Sequence, residues 1–375
     1  MEDWHKYKLG DVVNVLDSRR VPLSSKERNS RKGIYPYYGA QGIIDYIDDY
    51  LFDGTYLLIA EDGENIRSQK ENIAQIATGK YWVNNHAHIV ESNGNCDIRY
   101  ICYLLNNMDI TGYITGSAQP KLNQANLLSI ELDLPSLEKQ IIIADFLSLF
   151  DKKIELNNRI NHNLHLISQA LFDHYFIQHT ELLGDCSIVH LTDIATYLNG
   201  LAMQKYPAVG KGLPVLKIKE LGQGCVDSSS DRCSTDIKTE YIVNDGDCIF
   251  SWSGTLLVDL WCGGKCGLNQ HLFKVSSNKY PKWFYYFWTK HHLASFIHIA
   301  KDKAVTMGHI KRTELDNAKV LLPGEKAMKY LNSLFEPILD KIISTRIQNR
   351  YLANQRDKLL PKLMSGELKI SDLDF

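Results

Sequence analysis

Two short phrases of this chain are near copies: residues 83–90 read VNNHAHIV, and residues 268–275, 185 positions later, read LNQHLFKV. A chain that repeats itself folds as related units built on the same strands, so a repeat constrains architecture more than local propensity does. Further echoes keep the same order. LGDVVNVL (9–16) returns as LTDIATYL (191–198), and IELDLP (130–135) returns as AKVLLP (318–323), at offsets of 182 and 188. Each copy is a mixed segment followed by a long helical pattern. The expected class is therefore α/β (α+β), with two pseudo-repeated domains of strands and helices separated by two long helices.

Short β-rich runs punctuated by glycine mark the mixed segments: YLLIA (56–60), NIAQIAT (72–78) and HIVES (88–92), then YIVND (241–245), DCIFSW (247–252) and LFKVS (272–276). DIRYICYLLNN (97–107) and PKWFYYFWTKHHLASFI (281–297) read as helices whose aromatics pack on those strands.

From Ile141 to Phe176 neither proline nor glycine occurs, which predicts one long helix. Its apolar residues, Phe150, Ile154, Ile160, Leu164, Ile167 and Leu171 among them, alternate at spacings of three and four with a break at Asn157, as in a coiled-coil seam. The second helix, 327–365, repeats the pattern with Ile338, Ile342, Leu352 and Leu359, interrupted at Asn349 and Arg356. Pro337 predicts a kink or a new start, and Gly366 a C-terminal cap. Two such helices can bury their seams on each other, and a buried asparagine in each, Asn157 and Asn349, would fix the register.

With 375 residues, 44% hydrophobic and 23% charged, the chain is long enough for two or three domains with real cores. The N-terminus carries acids instead of an apolar leader, and no stretch approaches the roughly 18 apolar residues of a membrane span, so a cytoplasmic location without membrane contact is expected. Eight cysteines at irregular spacings, with no C-x-x-C pair, predict reduced thiols, no metal and no disulfide scaffold.

Catalytic motifs are missing. The chain lacks a phosphate-binding G-x-x-x-x-G-K-[ST], a G-x-G-x-x-G, an H-E-x-x-H and a G-x-S-x-G, and it has no D-P-P-Y or N-P-P-F loop of an adenine methyltransferase. No catalytic residue and no cofactor is expected. His86 and His271, the matched pair in the twin phrases, sit beside Asn or Gln among strand residues and read as hydrogen-bonded structural histidines rather than catalytic bases.

Three polar loops have the composition that nucleic acid demands, cations for phosphates and amides or hydroxyls for base edges. Segment 18–32 carries Arg19, Arg20, Lys26, Arg28, Arg31 and Lys32 against Glu27 alone. Segment 115–124 offers Ser117, Gln119, Lys121 and Asn123, and its counterpart 300–312 offers Lys301, Lys303, Thr306, His309, Lys311 and Arg312. Charge is uneven: Lys+Arg against Asp+Glu runs 13 to 18 over residues 1–134 and 16 to 12 over 188–322.

YPYYGAQGIIDYIDDYLFDGTYLLIAEDG (35–63), WVNNHAHIV (82–90), GSAQPKLNQANLLSIELDLPSLEKQ (116–140) and RDKLLPKLMSGEL (356–368), in that order, closely resemble the specificity subunits of type I restriction–modification systems. The resemblance covers nearly the whole chain. It implies target recognition domains at 1–134 and 188–322, conserved helices at 135–187 and 323–375 packed as an antiparallel coiled coil, and a non-catalytic subunit. It also implies partners: double-stranded DNA read as a bipartite site, two methyltransferase subunits, and nuclease–translocase subunits. Where the first domain has YPYYGAQG, the second has LPVLKIKELGQG (213–224). Two other classes compete with this reading: a coiled-coil scaffold without sequence-specific DNA binding, and a fragment of a single-chain methyltransferase or nuclease.

Overall fold

The computed structural model describes residues 4–302 and 310–370. The chain divides into two compact units, one of residues 1–152 with 353–375 and the other of residues 153–352, so each unit takes part of both long helices.

In the first unit the strands are β1 (His5–Lys8), β2 (Val13–Val15), β3 (Lys32–Gly39), β4 (Gly42–Ile47), β5 (Phe52–Ala60), β6 (Ala74–Val83), β7 (Ala87–Ser92) and β8 (Glu131–Leu134). Six of them form one sheet in the order β2-β7-β5-β6-β3-β4, and β1 pairs with β8. The helix Ile98–Asn107 lays Tyr100, Ile101 and Leu105 into the core beside Leu57, Ile59 and Val90. Ala144, Phe146 and Leu147 of the first long helix and Leu363 and Met364 of the second complete that core.

In the second unit the strands are β9 (Cys186–His190), β10 (Thr196–Asn199), β11 (Leu213–Leu216), β12 (Arg232–Cys233), β13 (Ile242–Val243), β14 (Cys248–Ser251), β15 (Leu257–Leu260), β16 (Cys266–Leu268), β17 (Leu272–Ser276) and β18 (Lys319–Pro323). The order β10-β17-β14-β15 repeats β2-β7-β5-β6, and β18 with β9 repeats β8 with β1. A parallel strand pairing recurs as well. Tyr37 and Tyr38 lie against Trp82 and Val83, and Val215 and Leu216 lie against Gly267 and Leu268. YPYYG and LPVLK therefore hold one structural position despite their different side chains. The helix Lys282–Asp302 supplies Trp283, Phe284, Phe287 and Trp288 to a core that also takes Phe172, Leu331 and Phe335 from the long helices.

The first long helix runs Leu137–Asp173, followed by a π turn at His174–Gln178, and thus begins before the expected Ile141. Gln140 anchors that extra turn: its Nε2 donates to the Pro135 carbonyl, and its Oε1 accepts from the Asp97 amide. The second helix is continuous over Glu325–Met364, so Pro337 lies within it and starts no new helix. Pro337 and Ser333 are exposed, and the Ser333 carbonyl that loses its amide donor lies on the hydrated side. Gly366 takes a positive φ of 72° and ends the helix, its amide donating to the Leu363 carbonyl.

The helices pair antiparallel. Arg356 meets Asp151 in the first unit, while Asn349 meets Asn157 and Thr345 meets Asn161 in the second, so numbers rise on one helix as they fall on the other. Much of the buried line is polar: Asn157, Asn161, Ser168 and Thr345 are all buried. Ile154, Ile160, Leu164 and Leu171 are half-buried, as are Phe150, Ile338, Leu352 and Leu359, while Ile342 is buried. Ile167 is 50% exposed and is not a seam residue; Ser168 holds that place. An apolar criterion shifts the seam by one position where the facing residues are Asn and Ser.

Asn157 Nδ2 donates to both Gln348 Oε1 and Asn349 Oδ1 at 2.8 Å, and Asn349 Nδ2 donates to Asn158 Oδ1 at 2.8 Å. Of this set only Asn157 is buried; Asn349, expected to be a buried seam residue, is half-buried and Gln348 is exposed, so Asn157→Ala, which removes the buried donor, is expected to lower stability by about 1 kcal/mol in denaturant titration. The second helix is also tied to its unit by two forked pairs, Arg346 with Asp259 and Arg350 with Asp245, all four N···O distances between 2.7 and 2.9 Å. No helix of the described residues is long and apolar enough to cross a membrane.

Candidate nucleic-acid interface

The twin phrases form the same turn twice. Asn84 Oδ1 accepts from the His86 amide at 2.8 Å, and Asn269 Oδ1 accepts from the His271 amide at 3.3 Å, each asparagine being buried. The shared asparagine closes a side-chain-to-backbone turn, which explains its recurrence. Both histidines are exposed: His86 Nδ1 lies 2.7 Å from Asp62, and His271 Nδ1 lies 3.3 Å from Ser253 Oγ.

Behind the first turn lies a charged cluster. His88 Nδ1 faces Asp17 at 2.5 Å and its Nε2 faces the Leu122 carbonyl at 2.7 Å. The ligand-type atoms of Asp17, Glu61 and His88 lie within 4.8 Å of one another, a spacing a metal could use. A guanidinium already supplies the positive charge: Arg20 is 2.7 Å from Glu61 and 3.2 Å from Asp17. Burial pushes both carboxyls up, but hydrogen bonds and charge from His88 and Arg20, with Lys121 on Glu61 and the Ile89 amide on Asp17, outweigh it and hold both below their ordinary range. In the second domain the equivalent positions are Asn199, Trp252 and Phe273, where Trp252 Nε1 donates to Asn199 Oδ1 at 3.0 Å and stacks obliquely on Phe273. One backbone frame therefore tolerates a charged and an aromatic filling.

Segment 18–32, the most basic loop by sequence, is largely neutralised by its own domain. Arg20 is held as above. Arg28 pairs with Asp45 at 3.2 Å and stacks over Tyr37, Arg31 pairs with Asp48 at 2.9 Å and lies over Trp82, and Lys32 pairs with Asp45 at 2.6 Å. Arg19 stacks on Phe52 and reaches the Leu51 carbonyl at 3.3 Å. The acids of β4 and the turn after it, scattered in sequence, are these partners, so net composition overstates the free positive charge. Lys26 is exposed and makes no ion pair among the described residues.

Segment 115–124 is a pinned loop. Thr115 and Lys121 bond each other through their backbones, the Leu122 amide donates to the Glu61 carbonyl, and Lys121 Nζ sits 3.1 Å from Glu61. Ser117 and Gln119 are exposed at its tip. Asn123 is occupied as an N-cap, its side chain accepting from the Asn126 amide at 2.9 Å, so its type reflects capping rather than base reading. In the second domain the Ile310 amide donates to the Trp252 carbonyl, matching Leu122 and Glu61. Lys301, Lys311 and Arg312 are exposed, and Lys303, Thr306 and His309 lie outside the described residues.

Burial pushes the Cys102 and Cys266 thiols up to about 12 and raises those of Cys96, Cys186, Cys233, Cys248 and Cys262, which makes them poor nucleophiles and metal ligands.

Residues 1–166 match the protein family described as the type I restriction modification DNA specificity domain. A Haemophilus influenzae protein described as a type I restriction enzyme specificity subunit is 29% identical over 66% of this chain, an alignment that spans 65% of that relative's own length. The type I restriction enzyme MjaIX specificity subunit of Methanocaldococcus jannaschii is 24% identical over 99% of this chain and 95% of its own. The crystal structure of a type I restriction–modification S subunit from M. genitalium shares the fold, with a TM-score of 0.60 at 14% identity over 96% of both chains. The doubled domain, its antiparallel helix pair and the matches along its length make the chain similar to the specificity subunits of type I restriction–modification systems.

Proposed function

We propose that this chain is the DNA-reading, non-catalytic subunit of a type I restriction–modification complex. Loops of residues 1–134 read one half-site and loops of 188–322 read the other. The long helices set the spacing and dock two methyltransferase subunits, and nuclease–translocase subunits join through these. The observation that carries this reading is the recurrence of one strand order, one parallel pairing and one N-x-H turn in both domains, each domain closed by a long helix. A repeated reader joined by long helices suits a bipartite target, with half-sites about one helical turn, roughly 34–36 Å, apart by analogy with dimeric readers.

Exchange of residues 188–322 for those of another specificity subunit tests the division of labour. Single-molecule methylome sequencing of the host is expected to show one half-site replaced, with the other half-site and the spacer unchanged. Simultaneous change of both half-sites would refute separate readers. A scaffold without DNA preference would show no sequence-specific shift in a gel assay even with the methyltransferase partner present.

A further inference from the structure

A groove of about 630 Å³ opens in the second domain beside the second N-x-H turn. Its walls come from three places: the segment after β10 with Met203 and Gln204, the end of β11 with Lys217 and Lys219, and Asp231 and Arg232 at β12. The turn residues Asn269, Gln270 and His271 close it. Gly200 allows this construction. A Cβ there would lie 2.2 Å from the Asn269 carbonyl oxygen, so any other residue would push the wall away from the turn.

The lining combines two chemistries. Lys217, Lys219 and Arg232 place three cations around the groove against one acid, Asp231. Lys217 and Lys219 are about half exposed and form ion pairs with surface acids, Asp231 and Asp227, Lys219 also donating to Ser229 Oγ at 2.9 Å; such exposed pairs are weak and phosphates readily replace them. Arg232 is exposed and makes no ion pair among the described residues; its guanidinium reaches the Lys211 carbonyl at 3.5 Å. The second chemistry is amide. Gln270 Oε1 is buried without any hydrogen-bond partner, and Gln270 Nε2 has only a 3.4 Å contact with His271. A buried acceptor without a donor is costly unless a ligand satisfies it, and a glutamine side chain is a bidentate reader of adenine in the major groove.

We propose that this groove is the duplex-DNA contact of the second domain, with Gln270 reading a base edge and Lys217, Lys219 and Arg232 holding the backbone. This rests on the function proposed above and assigns it to residues outside segment 300–312. At the matching turn of the first domain Arg20 donates to the Asn85 carbonyl and Asp62 holds His86. The two domains thus present different surfaces on one frame.

The test uses the full chain assembled with its methyltransferase partner. Gln270→Ala is expected to broaden one position of a single half-site, with the preference for the original base falling roughly ten- to a hundredfold and the other half-site intact. Lys219→Ala is expected to weaken binding to all sequences and to lower the slope of log affinity against log salt by about one. Thermal melts of both variants that match the wild type establish that the fold is kept. Folded variants with an unchanged motif and unchanged salt slope would overturn the groove assignment and leave the bipartite reading standing. A wild-type complex that methylates no bipartite motif would overturn the reading itself.

Discussion

Arg20→Ala is expected to lower the unfolding free energy by about 3 kcal/mol, because it strips the guanidinium from a buried carboxylate, Glu61, and a half-buried one, Asp17. Asp17 would then keep His88 and Glu61 would keep Lys121, their oxygens remaining at the spacing the arginine now bridges. The effect has a pH signature. Asp17 and Glu61 titrate below their ordinary values of 3.8 and 4.5, so the stability they contribute is fully present above those values and is lost as pH falls through the lower folded-state values. Denaturant titrations between neutral pH and about pH 3 are expected to show a shallower acid loss for the variant than for the wild type. An Arg20 that served a phosphate would behave otherwise, with wild-type stability and a reduced salt slope for DNA binding. That outcome would overturn its internal role.

Phe335→Ala is expected to cost about 3–5 kcal/mol, the loss typical of a large aromatic removed from a closed core. Phe335 is fully buried, its ring stacked on Trp283 at a centroid distance of 4.4 Å and an angle of 11°, with Phe287 at 5.4 Å. The second long helix is thereby part of the second domain's core as well as of the helix pair. Ile167→Ala is the contrast. With half its surface in water, it is expected to cost no more than about 1 kcal/mol when both variants are compared by denaturant titration, whereas a seam isoleucine would cost several times that.

Most of the architecture was legible in the sequence because repetition and helical periodicity are local patterns. VNNHAHIV and LNQHLFKV mark one turn in two domains, and the asparagine that both retain is the residue whose side chain closes it. The stretch free of proline and glycine after Ser136 is one helix. The site was less legible. Arg28, Arg31 and Lys32 look like free cations in a row, yet their partners Asp45 and Asp48 come from a neighbouring strand and turn, and a linear count cannot see that pairing. Gln270 and Lys219 were missed for the opposite reason: neither lies in a basic cluster, and only the fold brings them to one groove.

The sequence by itself determined the doubled domain, the two long helices and the want of catalytic loops, since each is written in the order and spacing of nearby residues. Tertiary structure decided which charges are free and which side chains face each other. It placed Arg20 between two carboxylates and put Ser168 where an apolar seam would take Ile167. It also set Gln270 beside Lys217 and Arg232. Ion pairing and burial depend on distances across the fold, which fall off within a few ångströms and bear no relation to separation along the chain.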